Sequence, residues 1–271
     1  MLRRSFLAYA VGSVFAQSGD ETVWRAWVAW FQDQSENLNI PQAIAKYRAH
    51  LEAHGASPSE IDRQIKVIQP RINGSEGARL FYNQRYTSQT PTYNEEPNAF
   101  LARMIENRKP GTALDFEMGQ GRNAIFLAKN GWDVTGFDVA EEGVAVARRN
   151  AERAGVRLNA IVASADRFDW GEDRYHLVVS TYADEMTYAT QIVRSLRLGG
   201  LLVIEDYLVD PKLRGAPKPP QAAGPNDLLK TFGSLRILYY EDFDGVADWG
   251  SRRKARVVRL AAEKQRNDRN P

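Results

Sequence analysis

The chain has 271 residues, 43% of them hydrophobic and 26% charged, with 36 Lys+Arg against 34 Asp+Glu for a net charge of +2. That balance excludes a disordered tail, a collagen-like fibre and a multi-span membrane protein, and gives no charge-based case for nucleic-acid binding. The absence of cysteine rules out a disulfide scaffold, a thiolate zinc site and a cysteine nucleophile, and three histidines leave little for a metal centre, so none is expected.

Residues 1–16 (MLRRSFLAYAVGSVFA) have the layout of an export signal. Arg3-Arg4 forms a basic start, Phe6 to Phe15 a short apolar run, and Val14-Phe15-Ala16 a cleavage site before Gln17. The run falls short of the ~20 residues of a spanning helix, so no stable membrane insertion is expected. Arg3 to Leu7 also resembles a twin-arginine signal.

Residues 17–79 read as a small helical region. Trp24, Trp27, Val28 and Phe31 form one apolar stripe at i, i+3, i+4, i+7. Pro41 opens a second helix carrying Ile44, Tyr47 and Leu51, closed by Gly55. Ser57-Pro58-Ser59-Glu60 starts a third with a capping-box pattern. His50 and His54 stand one turn apart, a spacing that suits the dipole of a helix C-terminus better than a metal clip.

From Gly111 the pattern alternates between strands and helices. Strands are predicted at 112–116, 134–137, 158–163, 175–180 and 201–205, with helices near 123–130, 141–154 and 185–197. Apolar strands alternating with helices require a largely parallel sheet covered on both faces. A proline-rich loop, 211–225, follows, then a short helix near 226–232. Two strands, 235–240 and 254–260, have no crossover between them and so form an antiparallel pair. The fold class is α/β: a Rossmann-like, doubly wound, mostly parallel seven-stranded sheet with an antiparallel C-terminal pair, behind a helical N-terminal region.

The chemistry-bearing stretch is Glu117-Met118-Gly119-Gln120-Gly121-Arg122-Asn123, between the first strand and its helix. A turn there points backbone N–H groups at a ligand above the carboxyl ends of the strands. Asp138 closes the second strand, where a carboxylate can accept both hydroxyls of a ribose, and Asp166 follows the third.

These residues resemble the class I S-adenosylmethionine-dependent methyltransferases, particularly the tellurite-resistance-like and bacterial methyltransferase-domain group. The resemblance rests on ALDFEMGQGRNAIFLAKNGWDVTGFDVAEEGVAVARRNAERAG, with ADRFDW, YHLVVSTYADE and GPNDLLKTF behind it. It spans about residues 80–265, leaving 266–271 as a tail. It implies S-adenosyl-L-methionine as cofactor and a small-molecule methyl acceptor as partner. Gly119 and Gly121 would cradle the methionine part, Asp138 the ribose and Asp166 the adenine, with Asp115 steadying the turn or the cofactor's ammonium. Glu117, Arg122, Asn123, Val139 and Arg167 flank these positions and complete the expected cofactor set. Glu117 departs from the pattern, since the family usually has glycine there. A carboxylate ~4 Å from the cofactor's own would cost about 4 kcal/mol at an intermediate dielectric, whereas turned toward the ammonium or sulfonium it would help.

Methyl transfer needs alignment more than acid or base. Tyr182, Asp184 and Glu185, after the fourth strand, are the candidate catalytic residues if the acceptor must lose a proton. Asp184 also suits a helix cap and Glu185 a first helical turn. Tyr86 and Tyr93 are candidate lid residues, as is the 211–225 loop, and His176 reads as structural. The basic end (Arg252, Arg253, Lys254, Arg256, Arg259) suits a solvated edge strand. Two other functions fit parts of the pattern. Gly119-x-Gly121-x-x-Ala124 also matches a dinucleotide oxidoreductase fingerprint, and the signal-like start, in conflict with a cytoplasmic cofactor supply, suits an exported adenosyl-ligand-binding protein.

Overall fold

A computed structural model describes residues 19–87, 94–209, 223–249 and 254–265. The signal-like segment, Tyr93, most of the 211–225 loop, Arg252 and Arg253 therefore lie outside the described residues. Internal contacts divide the chain into two units, Met1–Gln89 and Thr90–Pro271.

Among the described residues the first unit contains four helices: α1 (Asp20–Gln32), α2 (Ile40–Ala53), α3 (Pro58–Ile72) and α4 (Ser75–Tyr86). Asn39 caps α2 in a reciprocal box with Gln42, and Ser57 accepts the Glu60 N–H at the start of α3. The α1 stripe buries Trp24, Trp27 and Phe31, whose rings follow one another at centroid spacings of 5.1 Å. Tyr47, Leu51, Ile65, Ile68 and Phe81 complete that core. The stripe is thus a packing face, since each large ring removes apolar area from water. His54 Nδ1 lies 2.7 Å from the His50 carbonyl, closing α2. Among the described residues no group of three His, Asp or Glu is arranged to hold a metal ion, and no helix is long and apolar enough to cross a membrane.

The second unit starts with α5 (Ala99–Ile105), capped by Asn98, and continues β1 (Thr112–Phe116), α6 (Arg122–Lys129), β2 (Asp133–Asp138), α7 (Glu141–Arg153) and β3 (Asn159–Val162). Then come β4 (Tyr175–Thr181), α8 (Ala189–Ser195), β5 (Leu196–Tyr207), α9 (Asp227–Thr231), β6 (Arg236–Val246) and β7 (Lys254–Glu263). The sheet has seven strands in the order β3-β2-β1-β4-β5-β7-β6. β1 to β5 run parallel, and β7 is antiparallel to both β5 and β6. Successive residues alternate between two cores. Leu114, Val178, Leu202 and Ile204 face one, while Ala113, Leu177, Val179, Leu201 and Val203 face the other. Burial on both faces is why these strands read as continuous apolar runs.

Three expectations need correction. The helix expected over 185–197 shrinks to Ala189–Ser195, because 182–188 form turns and β5 takes up Leu196 onward, bulging between Tyr175 and Leu177 of its neighbour. Asp184 therefore does not cap a helix, and Glu185 is not in one. Finally, β7 is an interior strand, with β6 at the edge. Its arginines are not a solvated basic row: Arg256 pairs with Asp242 and Asp244, and Arg259 with Glu205 and Glu241.

Candidate active site

The parallel strands deliver their carboxyl ends to one edge, where β1 turns into α6. Glu117 and Gly119 have φ of 53° and 55°, and Gly121, the residue capping α6, has 79°. The left-handed conformation is open to glycine, and a Cβ on Gly121 would stand 2.9 Å from the Ala147 Cβ of α7. Gly121 thus lets α6 and α7 approach. Gly121 has no side chain to cap α6, and Asp115 Oδ2, reaching from β1, accepts the Ala124 N–H at 2.9 Å instead. Asp115 is 1% exposed, and burial pushes it up to about 7 against the Ala124 hydrogen bond and the Arg122 charge. Its role is to hold the turn.

Asp138 closes the other side. Oδ2 accepts the Gly119 N–H at 2.9 Å and Oδ1 the Ala140 N–H at 2.8 Å. Each oxygen keeps a second lone pair for a ligand donor. Burial raises Asp138 to about 6, opposed by these backbone N–H groups, so it is largely ionised at neutral pH. Val139, beside it, is half-buried.

Glu117 crosses from the end of β1 toward the turn after β4, where its carboxyl accepts the Asp184 N–H. Burial, then the charges of Asp138, Asp184 and Glu185, push it up to about 8. At neutral pH it is therefore an uncharged acid. Asp184 is raised by burial, opposed by hydrogen bonds from Thr187. Glu185 is fully buried, with Oε2 accepting the Ser180 hydroxyl at 3.1 Å. Burial and the adjacent Asp206 in β5 hold Glu185 well above the usual range, and burial likewise raises Asp206. Asp206 is the functional candidate that sequence reasoning missed. Its signal was an acid pair, Glu205-Asp206, interrupting an otherwise apolar strand.

Three expected ligand-facing residues are engaged by the scaffold instead. Tyr182 (φ 57°) donates its hydroxyl to Glu205 Oε1 at 2.7 Å and accepts the Asp248 N–H at 3.0 Å. Burial and the Glu205 charge raise it far out of the range of a useful base. Arg122 pairs with Asp248 at 2.8 Å and donates to the Glu96 carbonyl. Asn123 accepts the Asn98 N–H and donates to Thr181. Asn98 itself donates to both Glu205 and Asp248. Together they lash the 247–249 segment to the ends of β4 and β5. Of the proposed catalytic trio, Asp184 and Glu185 keep carboxyls facing the site's other acids.

Asp166 and Arg167 lie on the rim, 57% and 86% exposed and 4.0 Å apart, with Asp166 close enough to Tyr188 to act on its hydroxyl. His176 sits at the opposite end of β4, its Nδ1 receiving the Thr112 N–H, which is a structural role. A cavity of about 1090 Å³ lined by Trp132, Arg148 and Asn159 also opens at that opposite end and contains none of these acids. Tyr86 ends α4 in the first unit.

Residues 113–200 match the methyltransferase domain family. The ribosomal RNA small subunit methyltransferase C of Alcanivorax borkumensis is 30% identical over 107 residues, covering 38% of this chain and 32% of that protein. A ubiquinone biosynthesis O-methyltransferase of Cereibacter sphaeroides is 31% identical over 104 residues, covering 36% and 42%. The chain thus spans well under half the length of these relatives. Among solved structures, TehB from Haemophilus influenzae superposes with a TM-score of 0.56 at 19% identity, over 69% of this chain and 67% of that one. The [4+2]-cyclase SpnF reaches 0.51 at 14% identity, over 76% and 95%, so the fold also carries other chemistry. The glycine turn, Asp138 and strands β2 to β4 all fall inside residues 113–200, the stretch that matches the methyltransferase-domain family, and the fold is the one TehB shares.

Proposed function

We propose that the protein transfers a methyl group from S-adenosylmethionine to a small-molecule acceptor. The observation that carries this reading is the convergence of the Gly119–Gly121 turn, Asp138 and Glu117 at the carboxyl ends of β1 and β2, with Asp184 and Glu185 opposite at the end of β4. The donor set fits the cofactor: an ionised acceptor pair on Asp138 for a vicinal diol, and carboxyls for a cationic centre. Asp138 would hold the ribose, the turn the amino-acid end, and Asp166 on the rim the adenine amino group. Bound there, the cofactor supplies an electrophilic methyl group whose bonding electron pair leaves on sulfur.

The chain's own residues supply placement and charge control. Glu117 stays uncharged up to about pH 8, so at neutral pH the repulsion of the cofactor's carboxylate expected from an ionised Glu117 is absent. Asp115 and the Ala124 N–H fix the turn. Asp184 and Glu185 stand where an acceptor proton can be taken up. The match to the methyltransferase family leaves the dinucleotide reading without support. Equilibrium dialysis with S-adenosylmethionine and, separately, NADH tests the proposal: saturable uptake of the first alone is expected, and uptake of NADH alone, or of neither, would overturn it.

A further inference from the structure

Resting on the methyl-transfer reading, we propose that the acceptor is a small amine, bound as its ammonium between Glu185 and Asp206. Five carboxyls share this edge of the sheet: Glu117, Asp138, Asp184, Glu185 and Asp206. The neighbouring charges that act most strongly on Glu117, Glu185 and Asp206 are all carboxylates. The chain treats its nearby scaffold acids differently, giving Glu205 to Arg259 at 2.6 Å and Asp248 to Arg122 at 2.8 Å.

Glu185 adds an independent sign of a ligand. Its side chain is fully enclosed and Oε2 holds the Ser180 hydroxyl, but Oε1 has no hydrogen-bond partner. Native proteins rarely leave a buried acceptor unpaired. The missing partner must donate hydrogen bonds and also relieve crowded acids, since Asp206 opposes ionisation of Glu185 while Asp184 and Glu117 oppose that of Asp206. A hydroxyl brings one donor and no charge, and an anionic acceptor is repelled. An ammonium brings both positive charge and several donors. The same pair can then take its proton: an N–H bond breaks, the proton joins a carboxylate oxygen, and the bonding electrons remain on nitrogen as the lone pair that attack requires.

The test titrates S-adenosylhomocysteine-loaded protein with benzylamine, phenethylamine and 1,4-diaminobutane, each against the matching alcohol. At least one amine should bind roughly tenfold or more tightly than its alcohol, the scale of a charge-assisted hydrogen bond. Glu185→Gln should erase that preference while S-adenosylhomocysteine binds as before, and Asp206→Asn serves if the first variant does not fold. Amines binding no better than alcohols, or a preference that survives both substitutions, overturns the proposal. Failure of S-adenosylhomocysteine to bind would instead sink the methyl-transfer reading, and amine binding by the unloaded protein would still read this site.

Discussion

Replacing Glu117 by Gln should change how stability depends on pH. Glutamine keeps a carbonyl oxygen for the Asp184 N–H but cannot ionise. In the wild type, the carboxyl titrates near 4.5 when unfolded and about 8 when folded. Between those values the folded state holds a proton that the unfolded state has released, so wild-type stability falls as pH rises. At about 1.36 kcal/mol per unit, the whole window is worth at most roughly 5 kcal/mol. Asp115 (about 7) and Asp138 (about 6) add the same trend at lower pH, so the wild-type curve alone does not isolate Glu117. The difference between the two proteins does. Urea unfolding at about pH 5, 7 and 9 should show the variant nearly equal at the lowest pH and increasingly more stable above it. A difference that stays constant across pH would refute the assignment of a neutral Glu117.

On the proposed placement, with the cofactor's carboxylate beside Glu117, cofactor affinity should likewise weaken as pH passes about 8 and Glu117 ionises, and Glu117→Gln should flatten that fall in calorimetric titrations. Gly121→Ala should lower stability by roughly 2–5 kcal/mol, combining left-handed strain with overpacking against Ala147, measured by urea unfolding. Tyr182→Phe should cost roughly 1–3 kcal/mol, by removing a donor to Glu205 and an acceptor from the Asp248 N–H, yet leave cofactor affinity unchanged. N-terminal sequencing of fractionated cells separates two readings: an intact Met1 in the cytosol fits methyl turnover, whereas mature chains starting at Gln17 outside the cytoplasm favour ligand binding over turnover.

The sheet was legible because fully buried strands leave unbroken apolar runs, and the glycine turn because few residue types accept its backbone. The antiparallel ending was legible from the missing crossover helix between the last two strands. Residues of the site were harder to sort, because sequence gives positions near the strand ends but not where side chains point. Arg122 and Asn123 sit beside the turn yet face Asp248, Asn98 and Thr181. Tyr182 shows the same limit, since its partners Glu205 and Asp248 lie 23 and 66 residues away. Asp206 was hidden inside a strand, where only the sheet order shows that β5 runs beside β4 and places it by Glu185. The interior position of β7 was equally invisible, because its basic residues suit an exposed edge as well as ion pairs with flanking strands.

The most direct test of an adenosyl pocket at the ends of β1 and β2 is calorimetric titration of S-adenosylhomocysteine into the wild type and Asp138→Ala. Removing the carboxylate deletes the two hydrogen bonds to the backbone N–H groups of Gly119 and Ala140 and, on the proposed placement, two charge-assisted ones to the ribose. Saturable binding by the wild type, weakened roughly 100-fold or more in the variant, is the predicted result. No binding by the wild type, or equal affinity in both proteins, would contradict the account.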